Sequence, residues 1–286
     1  MRATGGITLQ RAVDMAGFLE RAGAWLLASE AENNLMLGLA ARLKVEPWAY
    51  APPVYAAMLE LDADVVGCIM RTPPHKLILS RMPLEALPLV VQDVQMMYGS
   101  LPGVLGPESV AFRFAELWSA ATQKSVQHGR ASRIYQLTRV IPPARPAPGE
   151  LRVAEPADID VIAEWIAAFG QEVNMPASRP RKMAEERVHR RELFLWVDGR
   201  PRCMAAWAGS TPNSVRIGYV YTPPAERGRG YASAITASAS QRALDAGYRY
   251  CFLFTDLANP TSNAIYQALG YQPVSDVMDY LFVVED

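Results

Sequence analysis

Apolar residues return along this chain with two different periods, and the alternation between them outlines its elements. Around 11–27 and 30–43 they recur every three or four positions, the spacing of an amphipathic helix. Short apolar runs at 53–60, 64–71 and 76–80 read as strands, helical spacing resumes at 84–98 and 108–122, and a strand from Arg133 to Val140 closes the first half. The segment Ile141 to Gly149 then carries four prolines in nine residues, which rules out a helix and strips backbone donors from any sheet. A linker is therefore expected at 141–149, between domains at 1–140 and 150–286.

Beyond the linker the pattern predicts a strand at Leu151–Val153, helices over Pro156–Phe169 and 178–190, and strands at 192–197, 201–209 and 214–221. A helix over 231–246, a strand at 250–255, a helix over 260–269 and a last strand near 276–284 complete the chain. Both halves follow one order: two helices, three consecutive strands, helix, strand, helix, strand. That order reads as an internal duplication whose residue identities scarcely repeat. The fold class is α+β, with a mixed, mostly antiparallel sheet flanked by helices in each half.

Composition narrows the setting. Hydrophobic residues make up 50% and charged residues 20% of the 286, as in a folded, water-soluble protein. Cys68, Cys203 and Cys251 are odd in number and far apart, so neither a disulfide framework nor a zinc site is indicated, and a cytoplasmic setting fits. The N-terminus lacks a basic-then-apolar leader, and no apolar run approaches the ~18 residues of a membrane span. With a formal charge of −1, nucleic acid is not an expected partner. The basic cluster Arg179 to Arg191 is interleaved with Glu185 and Glu186, as on a solvated helix face. His75, His128 and His189 stand alone, without a second metal ligand at helical spacing.

The most informative segment is Val220-Tyr221-Thr222-Pro223-Pro224-Ala225-Glu226-Arg227-Gly228-Arg229-Gly230-Tyr231-Ala232, a strand end, prolines, and a glycine-rich turn that opens a helix. The first turn of a helix holds amides without intrahelical acceptors and about half a positive charge, and glycines let an anion come close to them. A P-loop would end in Gly-Lys-Ser/Thr, which Gly230-Tyr231-Ala232 does not offer. A dinucleotide loop would place a third glycine where Ser233 stands. A helix start whose glycines serve only the turn remains an alternative.

Downstream, Asn259-Pro260-Thr261-Ser262-Asn263-Ala264-Ile265-Tyr266-Gln267-Ala268-Leu269-Gly270-Tyr271 predicts a short helix with Asn259 as N-cap, Pro260 in first position and Gly270 as its stop. Tyr266 lies about two turns beyond Asn259 and is expected on the same side, with Ile265, Ala268 and Leu269 turned to the core.

At this point the sequence resembles a known family. Arg227-x-x-Gly230-x-Ala232 is similar to the Q/R-x-x-G-x-G/A signature of the GNAT acetyltransferases, and Asn259 to Tyr271 resembles their second motif, N-x-x-(S/A)-x-x-x-Y-x-x-(L/A)-G-(F/Y). The motif-level resemblance covers about 214–275. As a whole the chain resembles the tandem GNAT proteins, with a degenerate N-terminal copy. There Arg113 stands in the proton donor's place, and the turn Ser80-Arg81-Met82-Pro83 has no glycine.

The resemblance implies an N-acetyltransferase that uses acetyl-CoA and needs no metal. It implies that the backbone of Val220, Tyr221 and Thr222 pairs with the pantetheine arm, and that Gly228, Arg229, Gly230, Tyr231, Ala232 and Ser233 cradle the pyrophosphate. Arg227, Asn259 and Ser262 complete the implied cofactor-binding set, and Tyr266 is the implied general acid. Read by themselves, Asn259 is also a plain helix cap and Tyr266 a core aromatic. Many relatives place a glutamate where this chain has Phe254, which leaves Glu172, or Tyr221 through a water, as candidate bases. The implied partner is a small-molecule or peptide amine. The competing reading is a non-catalytic acyl-CoA sensor, and a third is an interaction module without cofactor.

Overall fold

The computed structural model of the protein describes residues 6–283. Residues 1–5, part of the stretch read above for export, and position 284 of the last predicted strand lie outside the described residues. In chain order the first elements are β1 (Thr8–Arg11), α1 (Met15–Ala28), α2 (Glu30–Val45), β2 (Tyr55–Leu61), β3 (Asp64–Arg71), β4 (Leu77–Leu79), α3 (Leu87–Tyr98), β5 (Gly103–Pro107), α4 (Glu108–Thr122) and β6 (Ser125–Leu137). After the proline-rich segment come β7 (Glu150–Val153), α5 (Ile159–Glu172), α6 (Pro180–His189), β8 (Leu193–Asp198), β9 (Arg200–Ser210), β10 (Ser214–Tyr221), α7 (Tyr231–Asp245), β11 (Tyr250–Asp256), α8 (Pro260–Ala268) and β12 (Gln272–Val283).

The chain divides into two compact units. The first runs to Ile134 and adds Thr255–Ala258 and the segment from Val274; the second holds Tyr135–Phe254 and Asn259–Pro273. This differs from domains cut at the linker. The final strand β12 pairs antiparallel with β5, from Val277↔Pro107 to Leu281↔Gly103, and so belongs to the first unit. A linear pattern contains no sign of that exchange, because a strand's apolar alternation does not name its partner.

Within the first unit the strand order is β1-β2-β3-β4-β5-β12-β6, with β4 and β5 the parallel pair. Helices cover both faces. Alternate residues of β2 point to opposite sides: Tyr55, Ala57 and Leu59 join the core beneath α3 and α4, while Ala56 and Met58 join the core beneath α1 and α2. Two features were not expected from the pattern. The four-residue β1 pairs with β2 from Thr8↔Glu60 to Arg11↔Ala57, and β6 begins at Ser125 and ends at Leu137 instead of running from Arg133 to Val140. Its early positions His128 and Gly129 are exposed and leave no apolar run to read.

Within the second unit the order is β11-β10-β9-β8-β7, antiparallel except between β10 and β11. Phe194 and Trp196 of β8 and Cys203 and Ala205 of β9 face the core under α7 and α8. Leu193 and Leu195, with Met204 and Ala206, face the core under α5 and α6. A run buried on both faces is why Leu193–Trp196 shows no polar alternation. Each unit is thus an α+β layer structure whose mixed, mostly antiparallel sheet is flanked by helices.

Candidate functional site

In the second unit, β10 and β11 run side by side only from Ser214↔Tyr250 to Arg216↔Phe252. On its other edge β10 stays with β9 as far as Tyr221↔Met204, but the register shifts between Gly218 and Tyr221. Inside that shift Tyr219 takes a left-handed backbone, φ +53°. The consequence is visible in the packing. Val215 and Ile217 lie in the core under α7 and α8, whereas Tyr219 and Tyr221 pack into the core under α5 and α6, and Val220 returns to the first. A bulge has exchanged the faces of β10 over its last three residues. Beyond Arg216 the described residues show no pairing of β10 with β11, so a fork opens with the β10 backbone along one side.

The strand leads into one 3₁₀ turn, Pro224–Glu226, and then into the glycine loop. Gly228 and Gly230 hold φ +78° and +82°, conformations that side chains with a Cβ rarely adopt. Space is not the constraint: a Cβ on Gly228 would meet nothing within 4 Å, and one on Gly230 only Ala147 Cβ at 3.7 Å and the Arg145 carbonyl at 3.8 Å. Helix α7 starts without a side-chain cap, and Ala234 N–H to Gly230 O, 3.0 Å, is its first rung. The amides of Tyr231, Ala232 and Ser233 therefore stand outside its ladder.

Charged side chains brace this loop. Arg227 Nε donates to the Thr222 carbonyl at 2.9 Å, its Nη2 meets Glu172 Oε1 at 2.5 Å, and its guanidinium lies 5.9 Å from the Tyr221 ring centre. The Tyr231 hydroxyl donates to Asp198 Oδ2 at 2.6 Å, and that bond is the main cause raising its pKa. At the head of α8, Asn259 Oδ1 accepts the Ser262 amide at 3.0 Å, the expected cap.

One packing expectation is corrected. Ala268 is exposed, and the buried positions of α8 and its cap are Tyr266 and Leu269, which join the core. Tyr266 packs edge-on to Tyr271 with ring centres 6.0 Å apart. Burial pushes its phenol up to about 12, the nearby Cys203 adds to the rise, and a hydrogen bond with Ser262 opposes it. The physical reason is the ring: a 3.6-residue helix that buries Leu269 also buries the position three before it, and a tyrosine there fills the core better than an alanine at 268.

Residues 159–271 match the Acetyltransferase (GNAT) family. They form a GNAT domain. No curated protein matches the chain. Among solved structures, a GCN5-related N-acetyltransferase from Sphaerobacter thermophilus is similar over 97% of this chain and 96% of its own, at 17% identity and a TM-score of 0.64. A GNAT-family acetyltransferase from Colwellia psychrerythraea is similar over 97% and 100%, at 14% identity and TM-score 0.58. A tandem GNAT protein from the clavulanic acid biosynthesis pathway is similar over 98% and 99%, at 15% identity and TM-score 0.58. At such identities the likeness is one of fold, and that fold is two GNAT-like domains.

The GNAT domain brings the residues singled out from the sequence onto three neighbouring pieces of backbone: the end of β10 (Val220, Tyr221) with Thr222 after it, the loop and first turn of α7 (Arg227 to Ser233), and α8 with its cap (Asn259, Ser262, Tyr266). Thr222 and Tyr266 are both close to one buried thiol, Cys203, the first by a hydrogen bond of 3.1 Å. Sequence reasoning missed that thiol, the Tyr219 bulge, and the grouping of Arg200, Arg202 and Arg229 on Glu226. None of the three leaves a local signal, since each depends on how β9 and β10 lie against one another. In the first unit the counterpart Arg113 is exposed and paired with Glu116 at 3.1 Å. Among the described residues no group of three or more His, Cys, Asp or Glu is arranged to hold a metal, and no helix is long and apolar enough to cross a membrane.

Proposed function

We propose that the GNAT domain transfers an acetyl group from acetyl-CoA to the amine of a small molecule or peptide. The observation that carries this reading is the continuity of an unpaired strand edge, β10 beyond Arg216, with a glycine loop and an uncapped helix start. An open backbone edge suits an extended amide-bearing arm, and orphan amides at a helix start suit a pyrophosphate. The residues fit the group: the glycines hold positive φ with open space beside them, and the amides of Tyr231, Ala232 and Ser233 lack helical acceptors. Val220, Tyr221 and Thr222 would then hold the arm, Arg227 to Ser233 the phosphates, and Asn259 and Ser262 the region between.

Acetyl-CoA supplies the acetyl group as a thioester. In direct transfer the amine nitrogen forms a bond to the carbonyl carbon and gives up a proton to the base, the carbon–sulfur bond breaks, and the sulfur leaves with the electron pair and takes a proton. Tyr266 is the proposed donor of that proton. A phenol near 12 is a weaker acid than a thiol at ~8.5, so it stays protonated through neutral pH and helps chiefly while negative charge grows on sulfur. Arg227 positions the Thr222 carbonyl and at the same time engages Glu172, the candidate base.

That engagement, with Phe254 where the family resemblance implies a glutamate in many relatives, favours a second reading: an acyl-CoA sensor without turnover. The full chain incubated with acetyl-CoA and a panel of amines separates the two. Thiol release that depends on an amine supports the enzyme; binding without release across the panel supports the sensor; no binding of any CoA thioester sinks both. For the N-terminal half we propose a structural role, since its Ser80 to Pro83 turn has no glycine loop and Arg113 replaces the tyrosine.

A further inference from the structure

The first unit buries one positive charge that no acid answers. Arg71, the last residue of β3, is 7% exposed, yet no carboxylate among the described residues pairs with it. The cations on neighbouring elements are each matched: Arg11 with Asp93 at 2.8 Å, Arg42 with Glu46 at 3.3 Å and Lys76 with Asp279 at 2.7 Å. Arg71 has a carbonyl and a ring instead. Its Nε donates to the His75 carbonyl at 3.0 Å, and its guanidinium lies 4.0 Å from the ring centre of Tyr98. A ring face attracts a cation but cancels none of its charge, and burial accordingly lowers the pKa of Arg71. The ring itself is fixed. The Tyr98 hydroxyl donates to the Pro53 carbonyl at 2.6 Å, and its ring meets that of Tyr55 edge-on at 6.2 Å. Tyr55 in turn is tied to Asp93, so the guanidinium is oriented by side chains that are themselves anchored.

The chemistry of the unanswered charge indicates its ligand. With Nε spent on His75, the remaining edge of the guanidinium is Nη1 and Nη2, spaced to meet the two oxygens of one carboxylate. No carbonyl or carboxylate of the described residues accepts from either nitrogen, and neither is sealed from solvent, so the edge is open to a small molecule. One surplus positive charge in a mostly buried place balances a monoanion. A phosphate monoester, with roughly −1.5 to −2 charges at pH 7, would bury excess negative charge there. Rings gather about the same residues: besides Tyr98 and Tyr55, the His75 imidazole meets Tyr50 edge-on at 6.1 Å, and the Arg42 guanidinium stands 5.5 Å from the Tyr50 ring centre. Such surroundings suit the hydrocarbon part of an organic acid. The place is also distinct from any cofactor fork. Arg71 lies where β3 leads into β4, at the starting ends of the parallel pair β4 and β5, whereas the turn Ser80 to Pro83, which stands where a glycine loop would be, follows the other end of β4.

We infer that Arg71, held over the ring of Tyr98, anchors a binding site for a small organic monocarboxylate in the first unit, and that the bound acid stabilises that unit. The inference is independent of the acyl-CoA reading of the second unit.

Thermal unfolding of the full chain in sodium benzoate, compared with sodium chloride at equal ionic strength, tests this, with sodium phosphate as a third arm. One bidentate, charge-assisted pair corresponds to a Kd on the order of 1 mM, so benzoate at about ten times that concentration should raise Tm by about 2–4 °C, and the rise should saturate. In Arg71→Met, which keeps much of the side chain's length and removes its charge, the benzoate shift should vanish. Its Tm in chloride should equal or exceed the parent's, because an unanswered buried charge has been removed. Arg71→Lys keeps the charge and loses the fork, and its shift at the same concentration should drop to roughly a third, as for a ~10-fold weaker site. The lysine variant also decides the matter should the methionine variant fail to fold, which circular dichroism checks. No saturable shift in the parent overturns the site, as does a shift of parental size in either variant. A larger shift in phosphate than in benzoate overturns the assignment to a monocarboxylate.

Discussion

Thr222 Oγ1 donates to the buried sulfur of Cys203 at 3.1 Å, and the Tyr221 backbone amide gives the same sulfur a second hydrogen bond. Both contacts favour a thiolate, yet burial outweighs them and pushes the thiol up to about 12. Although it stands next to the proposed acyl site, Cys203 is therefore a packing and tethering group and not a nucleophile. Cys68 and Cys251 are buried as well, and burial raises both. We expect the native protein to react with none of its three thiols over minutes in an aromatic disulfide reagent at pH 8, and with all three once unfolded. Rapid labelling of one thiol in the native state would contradict this account of the fork.

The same burial sets an alkaline limit. Cys203, Cys251 and Tyr266 are each pushed up to about 12 when folded, above their ordinary values of 9.0, 9.0 and 10.0. Raised folded values mean that the unfolded chain releases its protons first. The stability these groups contribute is complete below about pH 9 and is lost as pH climbs toward 12. At pH 11 the loss is on the order of 2–3 kcal/mol per thiol. Urea unfolding is expected to give a flat stability from pH 7 to 8.5 and a steep fall above pH 9.5; a flat profile to pH 11 would show that the thiols are not buried.

Gly230 carries the geometry on which the phosphate loop depends. Valine there would strain the φ +82° backbone by about 1–3 kcal/mol and place methyl groups over the α7 amides, while meeting protein only at ordinary contact distance. Binding of acetyl-CoA by Gly230→Val is expected to fall below detection in calorimetry, with thermal unfolding shifted by only a few degrees. Retained affinity would move the site elsewhere.

How much of this was legible beforehand differs between levels. The glycine loop and the Asn259 to Tyr271 helix are local, built from caps, prolines and glycines at fixed offsets, and the sequence carries them in full. The exposure of Ala268 is not legible, because Ala268 and Tyr266 are both acceptable in a core by hydrophobicity and only packing against Tyr271 decides. The bulge at Tyr219 is invisible because the run Val215–Tyr221 reads as an ordinary strand until β9 fixes its register. The destination of β12 is hidden for the same reason: its partner β5 is some 170 residues away and shares no motif with it.

In the first unit, Asp93 is 4% exposed and accepts both the Tyr55 hydroxyl at 2.6 Å and Arg11 Nε at 2.8 Å. Removing the carboxylate leaves a buried phenol without its acceptor and a guanidinium without its counter-charge. Asp93→Ala is expected to cost about 2–4 kcal/mol, less than a fully buried pair because Arg11 is partly exposed. Equilibrium denaturation checks it, and a change under 1 kcal/mol would mean that solvent replaces the carboxylate. Because the first unit is proposed to be structural, coenzyme A binding by the folded variant should match the parent.

The proposed acid can be tested by removing one atom. Tyr266 keeps its ring in the core against Tyr271, so Tyr266→Phe preserves shape and loses only the hydroxyl and its hydrogen bond with Ser262. If that hydroxyl protonates the departing sulfur, kcat should fall ~10²–10⁴-fold while acetyl-CoA affinity stays nearly unchanged. The pH profile sharpens the test. A phenol near 12 stays protonated throughout pH 6 to 10, so the parent should show no alkaline loss of rate from this group in that window, and the variant should be slow across all of it. A purely structural tyrosine gives another pattern: turnover within a few-fold of the parent, with stability altered by about 1 kcal/mol for the lost hydrogen bond. In that case Ser262, which stands one turn before Tyr266 on α8, becomes the next proton donor to replace, and Ser262→Ala should then carry the kinetic loss that Tyr266→Phe did not.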